Sequence, residues 1–279
     1  MGITDIWKKG GLKKAFLPFQ RSSDIGGPAD VQRDVAQEGL ILRATNSAFQ
    51  QLSSHESGEH FTQMITDFQA LNTLSAAIPT GGMADTGKLS KAALTCEKDA
   101  GLLINALAGE LADLEKIKHA VSGLGQNDER IKKDLEQLSK SILMRAANAA
   151  ISRIRGLISQ EQRLVSQASK EIRYVSESIG QLRNETHAEI QFLQNVHHAV
   201  DDSAKGFGQK KKIPPGPNST ASFMFAYHSP IQSEGHAQQL FRTVITMHAQ
   251  RERTIAEANT RLHALSSTII QLTALAAYR

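Results

Sequence analysis

A single apolar stripe runs through residues 161–200, whose sequence is EQRLVSQASKEIRYVSESIGQLRNETHAEIQFLQNVHHAV. Apolar residues recur there at intervals of three and four, which is the periodicity of one face of an α-helix. A lone glycine, Gly180, softens such a helix without ending it. The pattern predicts a long amphipathic helix whose stripe consists of Leu164, Ala168, Ile172, Val175, Ile179, Leu182, Ile190, Leu193, Val196 and Val200.

The same spacing extends this helix in both directions, from Asp128 to Ala204. One continuous helix of that length would measure about 115 Å at 1.5 Å per residue. The alanine-rich sequence AANAAISRI (146–154) predicts a close helix crossing, because small residues let two backbones approach. Upstream, GLGQND predicts a break or bend, with Asn127 or Asp128 as the N-cap of the helix that follows.

Further helical segments are predicted on both sides of this stretch. A first segment runs from about Asp30 to Ala77 and is followed by a loop, IPTGGMADTG. A second begins at Lys88, and a last one begins near Pro230. No segment shows sustained alternation with period two, and no proline occurs from residue 80 to residue 213. The sequence therefore predicts an all-α, elongated bundle of long helices.

The composition excludes several classes of protein. The single cysteine, Cys96, excludes an internal disulfide framework and fits a reducing compartment, and its place on an apolar stripe predicts a buried thiol. A net charge of +4 is too mild for a polycation that binds nucleic acid. No apolar run is long enough for a transmembrane helix, and the opening residues lack the apolar core of a secretory signal. We therefore expect a cytoplasmic, peripheral-membrane location.

Three sequences resemble sites of known chemistry, but none meets the requirements of its motif. GMADTGK resembles a phosphate-binding loop, yet Leu89 follows the lysine where Ser or Thr must hold magnesium. His55 and His60 are five residues apart, about 140° around a helix, so they are poorly placed to share a metal ion. His197 and His198 are adjacent and equally unsuited. We expect no enzyme activity, no metal site and no cofactor.

The opening segment, residues 1–19, has the sequence MGITDIWKKGGLKKAFLPF and crowds bulky apolar residues around two lysine pairs. Apolar side chains that enter the acyl boundary, with lysines at anionic headgroups, are what an interfacial helix requires. The alternative is that the segment folds back onto the helices. We predict membrane insertion by Ile3, Ile6, Trp7, Leu12, Phe16, Leu17 and Phe19, and headgroup contact by Lys8, Lys9, Lys13 and Lys14.

A second basic sequence follows the longest predicted helix. Residues 206–220, GFGQKKKIPPGPNST, are rich in glycine and proline and predict a loop. The lysines in and beside this loop are either simply solvated or touch lipid headgroups. These candidates are Lys205, Lys210, Lys211 and Lys212.

The order of these features resembles that of the N-BAR proteins, including the endophilin type. An amphipathic opening segment precedes long helices, a basic loop lies between the last two, and GLKKAF (11–16) is similar to an endophilin-like opening. IPTGGMADTG interrupts the early helical region much as an insert does there. The resemblance implies a curved antiparallel homodimer with a shared six-helix core and a basic face on lipid. It implies that Arg145, Arg153, Arg155, Arg163, Lys170 and Arg173 could contribute to that face.

These features together predict a peripheral protein that binds and curves membranes. Residues 1–28 would be the membrane-binding segment and connector, and residues 29–279 the BAR-like bundle. The expected partners are anionic lipids and a second copy of the chain, since long stripes would otherwise stay exposed; nucleic acid is not expected, and a protein partner is possible. The alternative is a coiled-coil scaffold or effector whose stripes dock a protein partner. A third reading, an α-helical pore-forming toxin, requires a contiguous apolar hairpin that the sequence does not show.

Overall fold

The computed structural model describes residues 27–53, 56–76, 86–143, 149–208 and 234–278. Within these ranges every residue except Gly27 and Tyr278 is helical and there is no strand, which confirms the all-α prediction. None of the described helices is long and apolar enough to cross a membrane. The helices are α1 (Pro28–Ser53), α2 (Glu56–Ala76), α3 (Thr86–Leu143), α4 (Ala149–Gly208) and α5 (Glu234–Ala277).

The start of α1 is fixed by local hydrogen bonds. Pro28 occupies the first helical position, where its missing N–H costs nothing and its φ angle is already suitable. The backbone N–H of Gly27 donates to Asp30 Oδ2 at 3.0 Å, as in half of a capping box. The carboxylate of Asp30 also pairs with Arg33. Gly27 is thus attached to the first turn of α1.

The predicted break at GLGQND is wrong. Helix α3 continues through this sequence to Leu143, and both Asn127 and Asp128 are buried inside the helix instead of capping it. The glycines are tolerated because the helix is packed there: a Cβ added at Gly125 would lie only 3.8 Å from Ile172 Cγ2. Burial of the stripe outweighs the helix-propensity cost of glycine, which is about 1 kcal/mol.

The long helix predicted from 128 to 204 is instead divided between α3 and α4. Residues 144–148, which overlap the start of the alanine-rich sequence where we predicted a crossing, lie between the two described helices. Arg155 Nη2 donates to the carbonyl oxygens of Ile142 and Leu143 at 3.3 and 3.4 Å. These carbonyls lie in the last turn of α3, where an α-helix has no backbone donors left, so Arg155 satisfies acceptors that would otherwise need water.

The described residues form two compact units. Unit 1 consists of α1 with residues 112–143 of α3, 149–183 of α4 and 253–277 of α5. Its core buries aliphatic side chains from all four helices around one aromatic ring, Phe49, and a smaller cluster forms where α3 ends and α4 begins. The central side chains include Val35, Leu52, Leu124, Ile131, Leu135, Val165, Val175, Ile179, Leu262 and Leu265.

Unit 2 consists of α2 with residues 86–111 of α3, 184–208 of α4 and 234–252 of α5. Its core is also mainly aliphatic, and the rings of Phe68 and Phe241 stack with centroids 3.0 Å apart. The three long helices α3, α4 and α5 supply residues to both units. The other core residues include Met64, Ala93, Cys96, Leu103, Leu107, Leu193, Val196 and Val244.

The predicted stripes are mostly buried within a single chain. From Ala93 to Val121 the stripe of α3 is almost entirely inaccessible, and most of the α4 stripe is buried as well. We expected a homodimer because a monomer would expose these stripes, and the burial removes that reason. The prediction of a homodimer therefore rests on the N-BAR resemblance alone. The elongated, BAR-like form stays a prediction.

Gly125→Ala tests whether α3 is continuous. We expect the free energy of unfolding to rise by about 0.5–1 kcal/mol, because alanine loses less backbone entropy than glycine in a helix. Gly156→Ala is the matched control, since Gly156 is exposed in α4 with nothing within 4 Å of an added Cβ. Denaturant unfolding followed by circular dichroism measures both. A loss of stability in Gly125→Ala alongside a gain in Gly156→Ala would contradict helix continuity.

Candidate functional site

Most of the side chains predicted to touch lipid lie outside the described residues. This holds for the whole opening segment and for three of the four loop lysines. Lys205 belongs to α4, which continues to Gly208, four residues beyond the predicted helix end at Ala204. The predictions outside the described residues are those for Ile3, Ile6, Trp7, Leu12, Phe16, Leu17, Phe19, Lys8, Lys9, Lys13, Lys14, Lys210, Lys211 and Lys212.

The basic residues of α4 divide into two groups. Arg155 satisfies the end of α3, and Arg173 Nε lies 3.7 Å from the Glu177 carboxylate, although both side chains are largely exposed. Arg153, Arg163 and Lys170 are exposed. Arg145 lies outside the described residues. Arg153, Arg163, Lys170 and Arg173 are therefore accessible for contact with an anionic surface.

The histidines and the cysteine do not form a metal site in the described part of the chain. No group of three or more His, Cys, Asp or Glu side chains there could hold a metal ion. His197 Nε2 instead lies 3.1 Å from Glu97 Oε1, and His198 is exposed. Cys96 is buried as predicted, and burial raises the pKa of its thiol to about 12, with Asp67 and Asp99 acting in the same direction.

A buried polar network lies in unit 2, around Arg251. This arginine is only 1% exposed. Its Nη1 donates to Glu110 Oε2 at 2.5 Å, and its Nε lies 3.0 Å from Glu189 Oε2. A third carboxylate, that of the half-exposed Glu252, lies 3.2 Å from Nη2. One guanidinium therefore connects α5 to carboxylates on α3 and α4.

His248 and residues of α2 complete this arginine network. Nδ1 of His248 lies 3.0 Å from Glu189 Oε1, and the ring stacks on Phe61 with centroids 3.7 Å apart. Ser57 Oγ lies 3.5 Å from Arg251 Nη2. Burial raises the pKa of Glu110, and Arg251 and Ser57 oppose that shift. Every helix of unit 2 contributes a member, so the network fixes how the four helices align along their axes.

Unit 1 contains a buried carboxyl cluster of a different kind. Glu38 on α1 is 0% exposed, and neither of its carboxylate oxygens has a hydrogen-bond partner among the described residues. Asn127 and Asp128 on α3 are buried nearby, and each has one side-chain oxygen in the same state. These side-chain oxygens of Glu38, Asn127 and Asp128, which have no hydrogen-bond partner among the described residues, are all acceptors. A proton on one carboxyl group would supply the missing donor.

The remaining contacts of this carboxyl cluster fix α3 against its neighbours. Asn127 Nδ2 donates to the Asp34 carbonyl oxygen at 2.7 Å, which joins α3 to α1. Ser169 Oγ on α4 donates to Asp128 Oδ2 at 2.5 Å, and Lys132 Nζ lies 3.2 Å from the same oxygen. Lys132 is therefore engaged with Asp128 and does not bond to Glu38.

The electrostatics of the cluster favour a neutral Glu38. Burial raises the pKa of Glu38 well above its usual range, and Asp128 and Asp34 raise it further, while Lys132 acts in the opposite direction. A buried carboxylate without a partner is costly, so the group takes up a proton instead. In unit 2, burial raises the pKa of Asp99 to about 6. The hydrogen bond that protonated Asp99 donates to Asp67 and the negative charge of Asp67 act in the same direction, whereas Lys98 and His60 oppose them.

Sequence reasoning did not identify either buried polar group as a structural element. Arg251, Glu110 and Glu189 were not singled out, and Asn127 and Asp128 were assigned to a helix end. The available signal was spacing, since each of these residues lies three or four positions from apolar stripe residues.

Comparison of this chain with protein-family models, curated proteins and solved structures gave no match.

Arg251→Ala tests the arginine network. Removal of the guanidinium leaves Glu110 and Glu189 without their buried counter-charge, so we expect a loss of about 3–5 kcal/mol in the free energy of unfolding. Arg251→Met combined with Glu110→Gln and Glu189→Gln removes the buried charges together and should recover part of that loss. Arg242→Ala, at an exposed position of α5, is the control and should change stability by less than about 0.5 kcal/mol. An equal effect of Arg242→Ala and Arg251→Ala in denaturant unfolding would contradict the network's role.

Glu38→Gln tests the buried proton. A carboxyl group with a raised folded-state pKa stabilises fully below its unfolded-state pKa, and the stabilisation is lost as pH rises through the folded-state pKa. We expect stability to fall from about pH 4.5 toward neutral pH, by up to about 1.4 kcal/mol per pH unit for each proton released. Glutamine carries no charge and supplies an N–H donor, so the variant should be more stable at neutral pH and less dependent on pH.

The matched control for this prediction is Glu136→Gln on α3, because Glu136 is exposed. It should keep the pH dependence of the unaltered protein. Denaturant unfolding at several pH values compares the three proteins. The same pH dependence in Glu38→Gln and in the unaltered protein would show that Glu38 does not hold the proton.

Proposed function

We propose that this chain is a peripheral protein that binds anionic membranes and promotes their curvature. The opening segment is the wedge that enters the bilayer surface, and the helical units form the body that it anchors. The observation that carries this proposal is the sequence MGITDIWKKGGLKKAFLPF, in which two apolar faces are flanked by Lys8, Lys9, Lys13 and Lys14. Each lysine near an anionic surface contributes about 1 kcal/mol.

The described helices support different roles for the helical body and for the opening segment. Their apolar stripes are covered by other helices of the same chain, so they offer little continuous apolar surface to lipid. The apolar contact with the bilayer is therefore assigned to the opening segment. The helices contribute charge instead, through the exposed side chains of Arg153, Arg163 and Lys170 on α4. Lys205 and Lys210–Lys212 would add headgroup contacts near the end of α4.

The coiled-coil scaffold is the weaker candidate. It depends on stripes that remain available to a protein partner, and most stripe residues are buried within the chain. A homodimer remains part of the proposal through the N-BAR resemblance, which implies that two chains together form the curved surface that lies on the membrane. A pore-forming role has no supporting observation among the described helices.

Co-sedimentation with liposomes tests the proposed function directly. The full chain should bind vesicles of an anionic phospholipid at low salt, and removal of residues 1–20 should weaken binding at least tenfold because the apolar wedge and four lysines are lost. Higher salt should weaken binding of the full chain by screening its charges. The emission of Trp7, the only tryptophan, should shift to the blue when vesicles are added.

Point variants separate insertion from simple charge attraction. Trp7→Glu and Phe16→Glu should each weaken vesicle binding, whereas Phe19→Leu keeps an apolar side chain and serves as the control. Equal binding by the full chain and by the chain without residues 1–20 would contradict the proposal. Vesicle binding with a Trp7 still fully open to an aqueous quencher would show that the segment does not insert.

A further inference from the structure

Helices α1 and α5 of unit 1 form an antiparallel pair with direct contacts along its length. Gln32 Nε2 donates to the Ala276 carbonyl oxygen at 2.6 Å, and Asn46 Nδ2 donates to Ser266 Oγ at 2.8 Å. Between these contacts, a Cβ added at Gly39 would lie 3.7 Å from Ile269 Cγ2. Residue numbers rise along α1 as they fall along α5, so the two helices run in opposite directions.

This geometry places an apolar patch on one side of the pair. In two antiparallel helices, the residues that follow a contacting pair turn toward the same side, because each advances by about 100° in the opposite sense. Gly39 and Ile269 are the contacting pair, so Leu40 and Ile270 share one side. Leu40 is 54% exposed and Ile270 is 69% exposed.

Smaller exposed residues extend this surface toward the end of α5. Ala36 precedes Leu40 by one turn on α1, and Ala277 follows Ile270 by two turns on α5. Tyr278, just beyond the helix, is 79% exposed; it and Ile270 are the most exposed large apolar residues that the structure describes. We call Ala36, Leu40, Ile270, Ala277 and Tyr278 the α1/α5 patch.

The position of the opening segment in the chain makes it the best-placed occupant of this patch. Gly27 is attached to the first turn of α1, at the end of the pair where Gln32 reaches Ala276. Leu40 lies about 18 Å along α1 from Pro28, at 1.5 Å per residue. Residues 20–26 can span up to about 23 Å when extended, so residues 1–19 can reach the whole patch. Of the two apolar faces of the opening segment, the one nearest to α1 in the sequence is formed by Leu12, Phe16 and Phe19.

We propose that, in the absence of lipid, the face formed by Leu12, Phe16 and Phe19 docks on the α1/α5 patch of the same chain. The inference rests on the proposed function, because it describes how the wedge is held back from membranes. Apolar area on both surfaces is removed from water by the docking, which supplies the free energy. Docking competes with insertion, and the apparent dissociation constant for lipid equals the intrinsic one divided by the undocked fraction. A docked fraction of about nine-tenths weakens membrane binding about tenfold.

Disulfide cross-linking tests the docking itself. Phe16→Cys is combined with Ile270→Cys, and diamide is added without lipid; Cys96 stays in place because it is buried and its pKa is raised to about 12. The control combines Phe16→Cys with Leu143→Cys, since Leu143 is 61% exposed at the end of α3. We expect a disulfide within one chain for the Ile270 variant, formed at least fivefold faster than in the control. Equal rates would overturn the docking, and a disulfide between two chains would assign the patch to a second copy instead.

Vesicle binding tests whether the docking restrains the wedge. Ile270→Glu and Leu40→Glu place charges on exposed positions of the patch, and Leu143→Glu is the matched control. Both patch variants should bind anionic vesicles threefold to tenfold more tightly than the control, and circular dichroism should show an unchanged fold. Unchanged binding alongside the expected cross-link would overturn the restraint. If no protein binds vesicles, the proposed function fails, whereas the cross-link still decides the docking on its own.

Discussion

Long helices with few aromatic residues stay packed only when each position along the buried stripe finds a suitable neighbour. In both units most positions are filled by leucine, isoleucine, valine and alanine, whose burial supplies the main stabilising free energy. Aliphatic stripes of this kind can slide by one turn at little cost, because one leucine replaces another. The buried polar groups prevent such a shift, since a charge moved by one turn would lose its partner. The alignment of the helices therefore depends on a few polar positions.

The two units meet this requirement in opposite electrostatic ways. Unit 2 places the guanidinium of Arg251 between the carboxyl groups of Glu110 and Glu189, so each of these buried groups has a partner. Unit 1 places Glu38 beside Asp128 and Asp34, and no ion pair to Glu38 is found in the part of the unit that the structure describes, since Lys132 pairs with Asp128 and Glu129. The carboxyl cluster of unit 1 therefore has a hydrogen-bond donor for its buried oxygens only when one of its carboxyl groups is protonated. Mild acid therefore strengthens the alignment that Glu38 helps to fix in unit 1.

The sequence predicts the helices well because their signal is local and repeated. Apolar spacing placed most of α3, α4 and α5, but the breaks depended on glycine and alanine, whose effects are decided by packing. Gly125 lies against Ile172 and stays helical, whereas the interval between α3 and α4 overlaps the start of the alanine-rich sequence. The buried polar residues were missed because one polar residue in a stripe is compatible with either a helix end or a buried pair. Whether such a residue ends a helix or forms a buried pair depends on which helix packs against it, and the residues around it in the sequence do not show that.

The order of the segments in the chain has a consequence for how the protein is made. Unit 2 draws its residues from positions up to Glu252, whereas unit 1 also requires the stretch that begins at Arg253. During synthesis, all residues of unit 2 are made before the unit 1 part of α5 is complete, although α1 is made first of the described helices. Helix α1 can pack on the earlier parts of α3 and α4, but it lacks α5 as a neighbour until residues 253–277 have been made. A nascent chain stalled before residue 253 would thus lack the contacts that Gln32, Gly39 and Asn46 make with α5.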